Sequence, residues 1–126
     1  IKILGSVSLP PELKDFAPII LEAKASGADV FCCFAYPDQV MPVTGTAIAL
    51  GYNPKAWIGG PGTNFGFYHT AFGPAVEGIF GDGGGLMAKE SHPGEIGQWQ
   101  NGVYEVIGGR ITTAPFVYPK PPFPAP

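Results

Sequence analysis

Charge is scarce in this sequence: 13% of its 126 residues are charged, seven basic against ten acidic, for a net charge of −3. No basic cluster of the kind that tracks a phosphate backbone occurs, so nucleic acid is not an expected partner. Long hydrophobic stretches are also missing. The longest uninterrupted apolar run, residues 30–36, is far short of the ~20 residues that cross a bilayer as a helix, and no membrane insertion is expected. Cysteine is limited to the adjacent pair Cys32 and Cys33. In a strand their side chains point to opposite faces, and packing as small hydrophobes is expected rather than a vicinal disulfide or a metal site. His69 and His92 have no Cys or acid at metal-ligand spacing, so both read as surface residues and neither a metal nor a cofactor is expected. No initiator Met, basic leader or signal peptide precedes Ile1-Lys2-Ile3-Leu4, which reads as a mature or excised segment.

What the chain does have is apolar and punctuated. Its 45% hydrophobic content argues against disorder, and 19 Gly with 15 Pro specify many turns. The length suits one domain, which at this size buries roughly two-thirds of the surface its unfolded chain exposes.

Residues 1–7 read as a strand, and 12–26 as a helix capped by Asp15, beginning at Phe16 and stopped by Gly27. Residues 29–36 are continuously apolar, the pattern of a strand covered on both faces and central in a sheet. Helical spacing returns over 38–50, with Pro42 placed in the first turn and Gly51 as the stop. A third strand is expected at 55–58, a short helix at 65–72 ended by Gly73-Pro74, and a fourth strand at 76–80. Strand-helix alternation of this kind makes right-handed parallel crossovers and a three-layer, mainly parallel α/β sheet, with ligand loops outside the carboxyl ends of the strands.

The register then changes. After the flexible Asp82-Gly83-Gly84-Gly85 no helix follows; instead, residues 95–100 and 103–107 flank Asn101-Gly102, a hairpin signal because a type I′ turn takes positive φ at both positions. Trp99 and Tyr104 form a cross-strand pair worth ~0.2–1 kcal/mol. Beyond Ala114 the proline-rich tail runs extended, with Phe116, Tyr118 and Phe123 available to pin it. Three segments result: parallel βα units over 1–82, a Gly-rich connection and hairpin over 83–114, and the tail over 115–126.

The ordered series Asp15-Phe16, Lys24-Ala25-Ser26-Gly27-Ala28-Asp29-Val30, Tyr36-Pro37-Asp38, Leu50-Gly51-Tyr52-Asn53-Pro54-Lys55, Gly59-Gly60-Pro61-Gly62 and Ala75-Val76-Glu77-Gly78 resembles the C-terminal lobe of branched-chain amino-acid-type solute-binding proteins. These are the type I periplasmic binding proteins of ABC transporters. Residues 94–102 and 114–120 resemble that family's carboxyl end. The resemblance implies a flavodoxin-like lobe that captures a small solute for an ABC permease in the periplasm or extracellular space. It also implies that the N-terminal lobe and an internal segment near residues 82–83 are missing, so that binding by this chain is weak or absent.

In amino-acid-binding members the turn after the third strand supplies a carboxylate for the ligand's ammonium group, whereas Gly59-Gly60-Pro61-Gly62 contains no acid. A buried ammonium without a partner costs several kcal/mol. A carboxylate or other polar acceptor suits the turn's N–H groups beside Thr63 and Asn64 better. The expected site is therefore Tyr36, Gly60, Pro61, Gly62, Thr63 and Asn64, with the loop at residues 8–11. Tyr36 reads equally as a boundary aromatic stacked on its own loop, and the glycine turn as simple turn geometry, since it lacks phosphate-loop spacing. No catalytic constellation is visible: Ser6, Ser8, Ser26 and Ser91 lack a nucleophile elbow, and Glu77 reads as solvent-facing. The alternative to solute binding is a stand-alone scaffold that self-associates through the sheet edge at residues 76–108.

Overall fold

The turn and cap signals translate into structure almost residue by residue. The computed structural model describes residues 1–83, 95–109 and 112–124. Helix α1 (Ala17–Ser26) follows Asp15, whose Oδ1 accepts the Ala17 N–H at 3.0 Å, and ends where Gly27 adopts φ 68°. Helix α2 (Pro37–Ala49) starts on a proline at its first position, where the missing N–H has no helical partner to lose. Pro42 therefore sits inside α2 and not in its first turn as the sequence reading had it. Helix α3 (Gly66–Phe72) is short and continues into a 3-10 turn, Gly73–Val76.

Among the described residues five strands form one sheet in chain order: β1 (Val30–Cys33), β2 (Ala56–Gly59), β3 (Phe80–Gly83), β4 (Glu95–Gln100) and β5 (Val103–Gly108). β1, β2 and β3 are mutually parallel, joined by α2 and α3; β3, β4 and β5 are antiparallel. The fold is α/β, as the alternation predicts. Asn101 (φ 53°) and Gly102 (φ 77°) make the hairpin tip, and Trp99 lies opposite Tyr104 with ring centroids 5.3 Å apart. β4 takes the edge of β3, so the chain closes that part of its sheet itself.

Three strand expectations need correction. Residues 1–7 form no strand; they run exposed and unpaired, and local β-propensity without a pairing partner does not make a ladder. The run at 29–36 is not central: only Val30–Cys33 pairs, β1 is an edge strand, and Val30, Cys32 and Phe34 are exposed on one face. The fourth strand begins at Phe80, because Gly73-Pro74 opens a 3-10 turn through Val76 and Gly78 turns the chain with φ 76°.

The helices cover the face that carries Phe31, Cys33 and Trp57. There Ile20, Val40, Val43, Tyr68, Val76 and Ile79 complete the buried cluster. On the opposite face the tail packs over β3 and β4: Phe116 lies 5.2 Å from Phe80, and Gln98 binds the backbone of Val117. Of the expected pins Phe123 is buried, while Phe116 and Tyr118 stay about half exposed. Glu77 is partly exposed, and its two carboxylate oxygens accept the Asn101 and Gly102 N–H groups at 2.6 Å and fix the hairpin tip. His69 stacks on Trp99 at 5.1 Å and is half-buried, whereas His92, Ser91 and most of the glycine-rich connection lie outside the described residues.

Candidate functional site

Parallel strands deliver their following loops to one end of the sheet, and the loops after β1 and β2 meet there. Tyr36 stands between them. Its carbonyl starts α2 by accepting the Gln39 and Val40 N–H groups at 2.9 and 2.8 Å, while its side chain projects outward, 74% exposed. The β2 turn is pressed against this stretch: Gly60 N–H donates to Cys33 O at 2.8 Å, and a Cβ at Gly60 would lie 3.0 Å from the Ala35 backbone. At Gly62 (φ 106°) a Cβ would lie 2.9 Å from the Pro37 ring. The glycines thus let two loops touch, and Pro61 is left at the surface. Gln39 Nε2 donates to Pro10 O at 2.9 Å, which brings the loop at residues 8–11 to the same rim.

Thr63 and Asn64 are placed differently from Tyr36. Thr63 is fully buried, its hydroxyl donating to Gly60 O at 3.0 Å and its carbonyl accepting the Trp99 indole N–H at 2.6 Å. The turn's N–H groups are largely committed as well, Thr63 N–H to Gly60 O and Phe65 N–H to Gly62 O. Asn64 is buried too, and its Oδ1 has no hydrogen-bond partner among the described residues. These two residues shape the turn from beneath. The sequence reading missed Phe34, just past β1 and 75% exposed, which adds a second aromatic near the rim; its place in a continuous apolar run disguised it as core.

Among the described residues no three His, Cys, Asp or Glu side chains gather as a metal site, and no helix is long and apolar enough to cross a membrane. Cys33 is buried and Cys32 exposed, both as free thiols. Burial, with the neighbouring Cys32, pushes the Cys33 thiol up to about 11, which leaves it a poor nucleophile at neutral pH.

A sequence model of the periplasmic binding protein family matches residues 1–105. The chain belongs to the periplasmic binding protein family. Comparison with curated proteins and with solved structures finds no match. Solute binding is the family's general activity, and the rim of Tyr36 and Pro61 stands where an open parallel sheet holds ligands.

One ionisable group away from the rim is unusual for a periplasmic binding protein domain of so few charges. Lys120 is 5% exposed, with Nζ 2.9 Å from Pro121 O, 3.4 Å from Asn53 Oδ1 and 3.8 Å above the Phe123 ring. Burial lowers its ammonium from the ordinary 10.5 to about 8. Below pH 8 both folded and unfolded chains hold the proton, and burying the charge costs about 3 kcal/mol. Between pH 8 and 10.5 the unfolded chain binds more protons than the folded one, so stability rises with pH. Above pH 10 the opposite holds for Tyr68, whose hydroxyl burial raises. From about pH 9 the buried Cys33 thiol, pushed up to about 11, acts against Lys120 in the same way, so stability should climb from pH 8 only to about pH 9 and level off beyond it. In Lys120→Met that climb should vanish in denaturant titrations, and the variant should be about 1 kcal/mol more stable at pH 7, after the loss of two hydrogen bonds to neutral acceptors. A climb of unchanged size in the variant would assign it to another group.

Proposed function

We propose that the chain captures a small polar or amphipathic solute without chemical change, at the rim of Tyr36 and Pro61 that Gly60, Gly62, Thr63 and Asn64 shape from beneath, and delivers it to an ABC permease outside the cytoplasmic membrane. The observation that carries this reading is the outward aromatic ring of Tyr36 at the carboxyl ends of β1 and β2, held by backbone contacts that need no side chain there. A core residue would not be exposed in that position. The turn at residues 59–64 offers no acid to an ammonium group, which disfavours the branched-chain amino acids typical of the resembling proteins.

The rim is open, and an open rim desolvates its ligand poorly, so dissociation constants no better than about millimolar are expected for amino acids and small carboxylates. Calorimetry measures this directly. Tyr36→Ala should lower whatever affinity exists while changing unfolding free energy by less than about 1 kcal/mol, because nothing buried is removed. If the variant loses several kcal/mol in a urea titration, Tyr36 is a packing residue and the site lies elsewhere. A self-associating scaffold is the second reading; β4 already occupies the β3 edge within residues 76–108, and the exposed Val30 and Phe34 on edge strand β1 favour that edge instead, with light scattering to separate the two readings.

A further inference from the structure

At the end of the sheet opposite the rim, the residues that precede or close the strands share one occupant. The tail crosses them in order: Pro115 O accepts from Gln100 Nε2 at 2.7 Å, Val117 pairs with Gln98, Lys120 N–H donates to Lys55 O at 2.8 Å, and Phe123 N–H donates to Asn53 Oδ1 at 2.6 Å. The path runs from β4 past β3 to the start of β2. Most of these bonds go to tail backbone atoms, as when an extended peptide is read along its main chain.

We propose that this surface is a recognition groove for an extended, proline-flanked aromatic peptide, and that residues 115–123 are its resident ligand, replaceable by the same segment of another copy. Its centre is a built site. Gln98 is fully buried, and its amide is saturated: Nε2 donates to Gly78 O at 3.1 Å and Val117 O at 2.8 Å, and Oε1 accepts Val117 N–H at 3.0 Å and Gln100 Nε2 at 2.9 Å. A side-chain amide that grips both the N–H and the C=O of one residue does for that residue what a neighbouring strand would do. Gly78 leaves the floor flat where Lys120 and Pro121 lie down. At the far end Phe123 fills an aromatic socket, its ring 5.9 Å from Trp57. Phe116, Val117 and Tyr118 remain exposed while Lys120 and Phe123 are buried and Phe123 joins the hydrophobic cluster, so the segment runs along the surface and seats its far end in a pocket, as an extended peptide ligand does.

The test uses the full chain and a fluorescent peptide of residues 113–124. Phe116→Ala with Phe123→Ala weakens the resident segment in place. Fluorescence anisotropy should show the peptide binding this variant at tens of micromolar, and at least tenfold more weakly to the unaltered chain, whose own tail competes at an effective concentration on the order of millimolar. A peptide carrying Ala at the position of Phe123 should lose binding. Equal affinity for both proteins, or none for a folded variant, overturns the proposal. If the variant does not fold, hydrogen exchange on the unaltered chain decides: the Val117, Lys120 and Phe123 amides should open together while β2 and β3 stay protected. Exchange of the tail only in step with the sheet would make it part of the core and sink the idea.

Discussion

Gly78→Ala should lose about 3 kcal/mol of stability, although glycine-to-alanine changes at compatible positions usually gain 0.4–1 kcal/mol. Two independent terms act in the same direction. Gly78 has φ 76°, a left-handed conformation that costs an L-residue roughly 1–2 kcal/mol. The new methyl carbon would also lie 2.5 Å from Lys120 Cβ and 2.8 Å from Pro121 Cδ. Neither neighbour is the free end of a flexible chain, so relief requires the tail to lift. The Gly78 backbone has little room to move either: its N–H donates to Trp99 O at 2.7 Å and its carbonyl accepts from Gln98. Urea titration should show a lower midpoint with an unchanged slope if the tail stays down, and a smaller slope if it detaches in the native state, since less surface is then left to expose. A loss under about 0.5 kcal/mol would mean that the turn reshapes freely and that the tail is not held by it.

Gln98→Leu should cost about 3 kcal/mol, by a different route. The replacement has nearly the same volume, so no cavity opens; what changes is that the Gly78 carbonyl loses a buried partner and the Val117 N–H and carbonyl lose theirs at a half-buried position. Each orphaned buried group costs roughly 1–3 kcal/mol, and a saturated amide network loses its members together. Gln98→Glu should be at least as damaging at neutral pH, since a carboxylate can still accept from Val117 N–H but has nothing to donate to the two carbonyls. Protonation restores one donor. Burial beside two carbonyls holds that carboxyl above its ordinary range, so the Glu variant should recover part of its loss as the pH falls toward about 4 and gain nothing further below it. Equal stability of the Leu variant and the parent in a denaturant titration would show that the tail's amides find other partners.

Elements whose signals are local were legible in the sequence. Gly27 and Gly51 stop α1 and α2, Asp15 takes the Ala17 N–H and Asn101-Gly102 fixed the hairpin to the residue, because each acts through its own φ or its own added hydrogen bond; the proline that opens α2 is Pro37 and not Pro42. Strand placement was less readable. The apolar run at 29–36 looks central only if strands lie on both sides, and pairing partners are remote in sequence; residues 1–7 fail as a strand for the same reason. The rim was half legible. Tyr36 could be placed because it ends an apolar run that a turn closes, but Thr63 is buried by Trp99, 36 positions away along the chain. Lys120 shows the limit most clearly: no local pattern among the prolines marks it, and only the descent of Phe123 beside Trp57 takes it out of water.

The bare face of β1 has a practical side. Cys32 lies on it, exposed, while its sequence neighbour Cys33 points into the packed side of the sheet. Partial burial raises the Cys32 thiol above its ordinary value, so it reacts slowly at neutral pH and more readily in mildly alkaline buffer, where Cys33, at about 11, is still protonated and covered. The unmutated chain therefore carries a single natural attachment point for a maleimide dye, seated on the uncovered sheet face beside Ile58 and one residue from the strand end that leads to Tyr36. A polarity-sensitive fluorophore placed there turns that face into an optical gauge, brightening when another polypeptide covers it and staying dark while water does.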